Sequence, residues 1–231
     1  MFYYGFDYYY LVLVLPAVLF SFWAQFLVNG TFRKYQRQPL QRNFTGAQVA
    51  ERMLQAFGIT DVRVEFVSGN LTDHFSPKEK VIRLSESVFN SRSIAAAGVA
   101  AHECGHAMQY QCGYAPIRLR NAIIPISQLG SSLSIPMILL GFVFNFEVLV
   151  TAGILFFGLA VLFQLITLPV EFNASRRAIS TLLSTGVVDE DEVSGAKKVL
   201  RAAAMTYVAA LAVSLAQFLR LILLFGGRRR D

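Results

Sequence analysis

Along most of this chain the apolar positions do not alternate with polar ones; they run on. Four stretches carry no formal charge for about the ~20 residues a helix needs to cross a bilayer. They are Tyr8–Phe32, Ala122–Phe146, Val148–Val170 and Ala202–Leu219, the last continuing past Arg220 to Phe225. A soluble core can hide one such run but not four, so the pattern predicts an integral membrane protein. The first run lacks a preceding basic region and is long for the apolar core of a secretory signal, so it is expected to stay uncleaved.

Polarity returns over one long stretch, Arg33 to Asn121, and there the periodicities are those of a small folded unit. Thr45 is placed to cap a helix over Gly46–Phe57, closed by Gly58, with Val49, Met53, Leu54 and Phe57 on its apolar face. Val62–Val67 alternates as a strand does, the next three residues (SGN) turn the chain, and Leu71–Phe75 forms a second strand. After SPKEK a third strand begins over Val81–Leu84, and the three are expected to pair as a short antiparallel sheet. Ser91 or Ser93 then caps a helix from Ile94 to about Tyr110. The predicted organisation is an N-terminal transmembrane helix (1–32), a catalytic region (33–121), a transmembrane hairpin (122–170), a polar segment opened by a helix at Glu171 (171–201), and a last transmembrane helix with a basic tail (202–231).

Composition agrees with the pattern. The chain is 55% hydrophobic and only 16% charged, against about a quarter charged for soluble domains. Its net charge of +6 comes without any basic-aromatic recognition motif, so no nucleic-acid partner is expected. The cations instead suit anionic lipid headgroups. Arg33, Lys34 and Arg37 follow the first run, which predicts that it crosses from outside to inside, with Tyr3, Tyr4, Tyr8, Tyr9 and Tyr10 as an outer aromatic belt. The tail GGRRRD then falls outside, against the same rule; either it is tolerated or the last helix does not cross. Two cysteines, Cys104 and Cys112, are too few for a disulfide framework.

The chain has three histidines, and two of them stand together in His102-Glu103-Cys104-Gly105-His106. Residues four apart on a helix lie one turn above each other, so both imidazoles can hold one zinc ion. Glu103, about 100° round the helix, can address a water that the metal acidifies, taking its proton for attack on a peptide carbonyl and passing it to the leaving amine. Cys104 points elsewhere and reads as a packed thiol. The alternative, satisfied core histidines beside a solvated glutamate, fits poorly with a small-residue helix that would bury the carboxylate. A third ligand is needed, and His74 or Glu171 can supply it.

HECGH together with EFNASRRA, and GNLTDHFSPKEKVIRLSESVF before them, resembles the YugP-like neutral zinc metallopeptidases of bacterial membranes. That group is similar to the wider HtpX-type peptidases, in which E-x-x-A-D follows H-E-x-x-H. The resemblance covers most of the chain from about Thr45 to Ala178. It implies a zincin-like catalytic unit in an α+β membrane protein of about four transmembrane helices. It also implies a gluzincin-like zinc site, one Zn²⁺ per chain, with His102, His106 and Glu171 as ligands and Glu103 as catalytic base. The implied activity is a metalloendopeptidase acting on peptide or protein substrates, membrane proteins among them. One departure stands out: the wider group has Asp four residues after its third ligand, where this chain has Ser175, with Asn173 nearby. Either can accept a histidine N–H.

Other residues carry two readings each. His74 is a donor to the transition state or a strand-end surface residue. Arg177, like Arg176, anchors headgroups or lines the cleft. The backbone of Leu71–Phe75 is a candidate edge for an extended peptide. Two spans separate His106 from Glu171, so both emerge on one side, the basic one. A multi-pass protein of the cell membrane with its site facing the cytoplasm is the expectation. An intramembrane-cleaving protease, a zinc transporter and a non-catalytic zinc scaffold are the rivals. The first would place its motif within a span; the second needs polar residues along several spans, which offer mainly Gln128, Asn145 and Gln164.

Overall fold

The computed structural model of the protein describes residues 7–225. Among these residues four helices are long and apolar enough to cross a membrane: Tyr10–Gln36, Ala115–Val143, Glu147–Thr185 and Glu190–Phe225. The first opens with a π-helical turn, Tyr10–Val14, before α1 (Leu15–Gln36). The short elements between them are α2 (Gly46–Ala56), β1 (Arg63–Val67), β2 (His74–Ser76), β3 (Val81–Ser85), α3 (Glu86–Phe89) and α4 (Ile94–Gln111). The remaining long helices are α5 (Ala115–Val143), α6 (Glu147–Thr185) and α7 (Glu190–Phe225). The chain divides into two compact units.

The first unit holds residues 7–25, 119–168 and 206–225, the most apolar parts of α1, α5, α6 and α7. Large apolar side chains such as Phe22, Trp23, Leu139, Leu155 and Leu162 are exposed on it, as a lipid-facing surface requires. The α5–α6 turn bends at Asn145, which takes a left-handed φ of 48°. Gln164 donates to Ser214 Oγ at 2.8 Å. Arg220, the one charge in the last apolar run, donates to Asp7 Oδ2 at 2.7 Å and lies over the Tyr10 ring at 5.6 Å. That partner is what lets a guanidinium interrupt an otherwise uncharged run. Of the expected tyrosine belt, Tyr8, Tyr9 and Tyr10 are exposed; Tyr3, Tyr4 and the tail GGRRRD lie outside the described residues.

The second unit holds residues 26–118 and 169–205. Thr45 caps α2 as expected, its hydroxyl accepting from Gln48 N while Gln48 Oε1 accepts from Thr45 N. Gly58 ends the segment with a φ of 72°, a region glycine enters at little cost. Ser93, rather than Ser91, caps α4 by accepting from Ala96 N at 3.2 Å. Met53, Ile82, Leu84, Met108 and Leu182 are fully buried and join α2, β3, α4 and α6 in one core.

Two expectations need correction here. The sheet is mixed, not antiparallel: its order is β1-β3-β2, with β1 parallel to β3 and only β2 antiparallel to it. β3 is buried on both faces, so it takes the centre, and the chain leaving β1 must pass to the far side before returning. β2 is accordingly an edge strand, shorter than the expected Leu71–Phe75. Second, Glu171 does not open a helix. α6 runs unbroken through Pro169 to Thr185, so Glu171 lies inside a helix that began at Glu147. Val170, Ala174, Ala178 and Leu182 are all fully buried. Their four-residue spacing carries one packed face past the proline, and helices packed in this way tolerate the lost N–H. α7 is likewise continuous from Glu190 to Phe225.

Candidate metal centre

α4 is built largely from small residues, with Ala95, Ala96, Ala97, Ala100, Ala101 and Ala107 all buried. Small side chains let neighbouring helices approach it closely. At Gly105 the approach is closest: a Cβ there would lie 2.4 Å from the carbonyl oxygen of Ala174 on α6. Ala174 is three residues beyond Glu171, so this contact sets the height at which the glutamate meets α4. Gly105→Ala should therefore destabilise the fold by ~1–3 kcal/mol through overpacking and reduce metal retention as α6 is pushed away. Thermal unfolding and metal content of the purified variant check both; unchanged values would show that the helices have slack.

One turn apart on α4, the His102 and His106 rings stand edge to face with centroids 4.7 Å apart. Glu171 from α6 points between them. Its Oε2 is 3.1 Å from His102 Nε2 and 3.6 Å from His106 Nε2, and the three ligand atoms all lie within 4.8 Å of one another. A tetrahedral zinc ion with N and O ligands at ~2.0–2.1 Å spaces its ligand atoms ~3.3–3.4 Å apart. The residues fit the ion. Two imidazoles and one carboxylate also match a three-ligand zinc site that leaves a fourth position for water. Burial alone would lower the basicity of His106, but the Glu171 and Glu103 carboxylates, with the Gln109 hydrogen bond, outweigh it and raise the imidazole above its ordinary value.

A residue the sequence did not single out fixes the tautomer of His106. Gln109 is fully buried on α4. Its Nε2 donates to the Val170 carbonyl at 2.8 Å and to Asn173 Oδ1 at 3.0 Å. With both amide hydrogens so used, Oε1 is left to accept from His106 Nδ1 at 3.0 Å. In the neutral imidazole the proton therefore sits on Nδ1, which leaves the Nε2 lone pair for a metal. The only sequence signal was a buried amide one turn beyond His106, which reads equally well as an ordinary helix residue.

The other candidates sort by contact. Ser175 Oγ lies 3.2 Å from His102 Nδ1, the place where the wider family has its aspartate. Asn173 does not touch a histidine; it braces Gln109 and accepts from Arg177 Nε at 2.9 Å. Arg177 reaches Cys112 Sγ at 3.7 Å and the Tyr114 ring at 5.9 Å, so it ties α6 to the end of α4 instead of reaching outward to headgroups. His74 is exposed on β2, with Nδ1 against the Thr72 carbonyl at 2.8 Å, and is not part of the ligand triad. Beside it, burial raises Asp73 although its carboxylate accepts from the Ser85 amide and hydroxyl at 2.7 and 2.9 Å. Tyr110 packs edge-on to Phe75 at 6.2 Å. Cys104 is buried and donates to the Ala50 carbonyl at 3.5 Å, and burial pushes its thiol far up; it is a packed residue.

Glu103 sits at 7% exposure beside this triad. Among the described residues none donates a hydrogen bond to it or pairs with it, so its lone pairs are uncommitted.

Residues 10–226 match the family described as "putative neutral zinc metallopeptidase". The chain belongs to that family. It is also 46% identical over 216 residues to the "putative membrane protease YugP" of Bacillus subtilis (strain 168), covering 94% of this chain and 96% of that protein. No solved structure matches the chain. Family membership agrees with the convergence of His102, His106 and Glu171, and with four helices able to span a membrane.

Proposed function

We propose that the protein is a multi-pass zinc endopeptidase of the cell membrane, with a zincin-like unit and its site on the cytoplasmic side. The observation that carries this is the meeting of three ligand atoms from α4 and α6 beside a buried carboxylate with no other partner. His102, His106 and Glu171 would hold one zinc ion, which when bound polarises a substrate carbonyl and acidifies water. Glu103 takes a proton from that water and returns it to the departing amine, acting first as base and then as acid. Gln109 and Ser175 hold the two imidazoles in the tautomer and orientation that ligation needs. The edge strand β2 offers its free backbone to an extended peptide, which suits substrates of varied sequence. Peptide or protein chains, membrane proteins among them, are the proposed substrates.

A non-catalytic zinc scaffold predicts the same ligands, so turnover decides. The purified full-length protein should cleave an unfolded protein substrate, stop on treatment with a chelator and recover when zinc is restored. Cleavage indifferent to the chelator, or no cleavage by a protein with full zinc, would sink the proposal.

For orientation, single cysteines at Gln41 or Ser76 in a variant lacking Cys104 and Cys112 should resist membrane-impermeant thiol reagents in intact cells. Ready labelling there would place the site outside. The Asp7–Arg220 pair supports a last helix that crosses, because it joins the start of the first span to the end of the last.

A further inference from the structure

The second unit contains a cavity of about 930 Å³ walled by α1, α6 and α7, near the upper end of the ~300–1,000 Å³ usual for small-molecule sites. Lys34, Arg176, Lys197, Lys198 and Arg201 line it, and among the described residues no carboxylate does. The last four are exposed and, among the described residues, meet no carboxylate at ion-pair distance; Lys34 lies over the Tyr35 ring at 5.5 Å. The remaining wall is largely apolar, with Leu27, Phe172, Ala204 and Met205.

The two kinds of liner are ordered along the helices. On α1, Leu27 comes about two turns before Lys34; on α7, Lys197, Lys198 and Arg201 come before Ala204 and Met205. On both helices the liners within the long uncharged run are uncharged and the cations all lie beyond its end, with Tyr35 and Leu200 as apolar neighbours among them. A ligand matched to this arrangement has an anionic head and a hydrocarbon body. Free phosphate would leave the apolar wall unused, and a neutral lipid would leave the cations gathered without a counter-charge.

We propose that this cavity binds one anionic phospholipid, its phosphodiester held by the five cations and its acyl chain by the apolar wall. Ser175 lines the cavity and also holds His102 Nδ1, so the bound lipid abuts the residue that orients a candidate metal ligand.

The test reads lipid retention and is independent of proteolysis. The full chain is reconstituted in nanodiscs of phosphatidylcholine with a minor share of phosphatidylglycerol, then released into mild detergent for native mass spectrometry. One phosphatidylglycerol per chain should remain bound. Lys198→Ala combined with Arg201→Ala should weaken its retention by about 30-fold, roughly fivefold for each cation lost near a membrane surface. Arg33→Ala with Arg37→Ala removes as much charge outside the cavity and should change nothing. Three results would overturn the proposal: phosphatidylcholine retained equally well, the two double variants behaving alike, or displacement of the lipid by soluble glycerol phosphate, which would mark a simple anion site. Displacement of the lipid by a soluble acidic peptide would make the cavity a peptide cleft, a fourth result that defeats the proposal.

Discussion

Glu103→Gln is expected to keep its zinc and to lose peptide cleavage by ~10²–10⁴-fold, the usual worth of general-base assistance. Glutamine preserves the shape of a side chain that is 7% exposed, so packing around α4 should survive. What it lacks is an oxygen able to take and return a proton. No hydrogen bond from another described residue depends on that carboxylate, so the loss should fall on turnover and not on folding. Metal content and thermal unfolding equal to those of the parent, with cleavage nearly abolished, is the expected triple result. Cleavage at the parental rate would remove Glu103 from the chemistry.

Loss of Glu171 should be as damaging, through the metal. Glu171→Ala is expected to lower zinc occupancy from about one per chain and to abolish activity, as His106→Ala should. A surface glutamate paired with Arg176 or Arg177 would contribute only ~0–1 kcal/mol of stability, but Glu171 is 2% exposed and faces two imidazoles. Glu171→Asp is the finer probe because it keeps the charge and shortens the reach by one methylene. With Gly105 and Ala174 in such close contact, α6 cannot move in to compensate, so zinc binding should weaken markedly. Metal analysis of proteins prepared without chelators checks both variants. If both keep full zinc and full activity, the third ligand lies elsewhere, with His74 the remaining histidine.

How much of this was legible in the sequence depended on how local the cause was. The four helices able to span a membrane were readable because bilayer thickness sets a length that an uncharged run either reaches or does not. Thr45 and Gly58 were readable, and the cap of α4 was narrowed to Ser91 or Ser93, because caps act within a turn of themselves. His102 and His106 share a helix face by spacing alone. The parallel pairing of β1 with β3 was not readable, since alternation tells which face a strand buries but not which strand it meets. Pro169 misled for a similar reason: the four-residue stripe from Val170 to Leu182 overrides it through packing, which the proline itself does not announce. Gln109 was hidden because its partners, Val170 and Asn173, stand 61 and 64 residues away.

If β2 receives substrate as proposed, its brevity limits how long that substrate would stay. Three residues of edge, His74–Ser76, can offer an incoming chain two or three main-chain hydrogen bonds, each worth ~1 kcal/mol net. Their sum falls short of the ~4 kcal/mol that corresponds to millimolar affinity. Backbone pairing alone would thus give a brief encounter, with dissociation fast enough that a folded protein leaves before any segment unravels. Under the proposed function, chains already extended, or tethered nearby by the same bilayer, would return often enough to be cut. Dwell time, rather than a sequence motif, would then separate substrate from bystander.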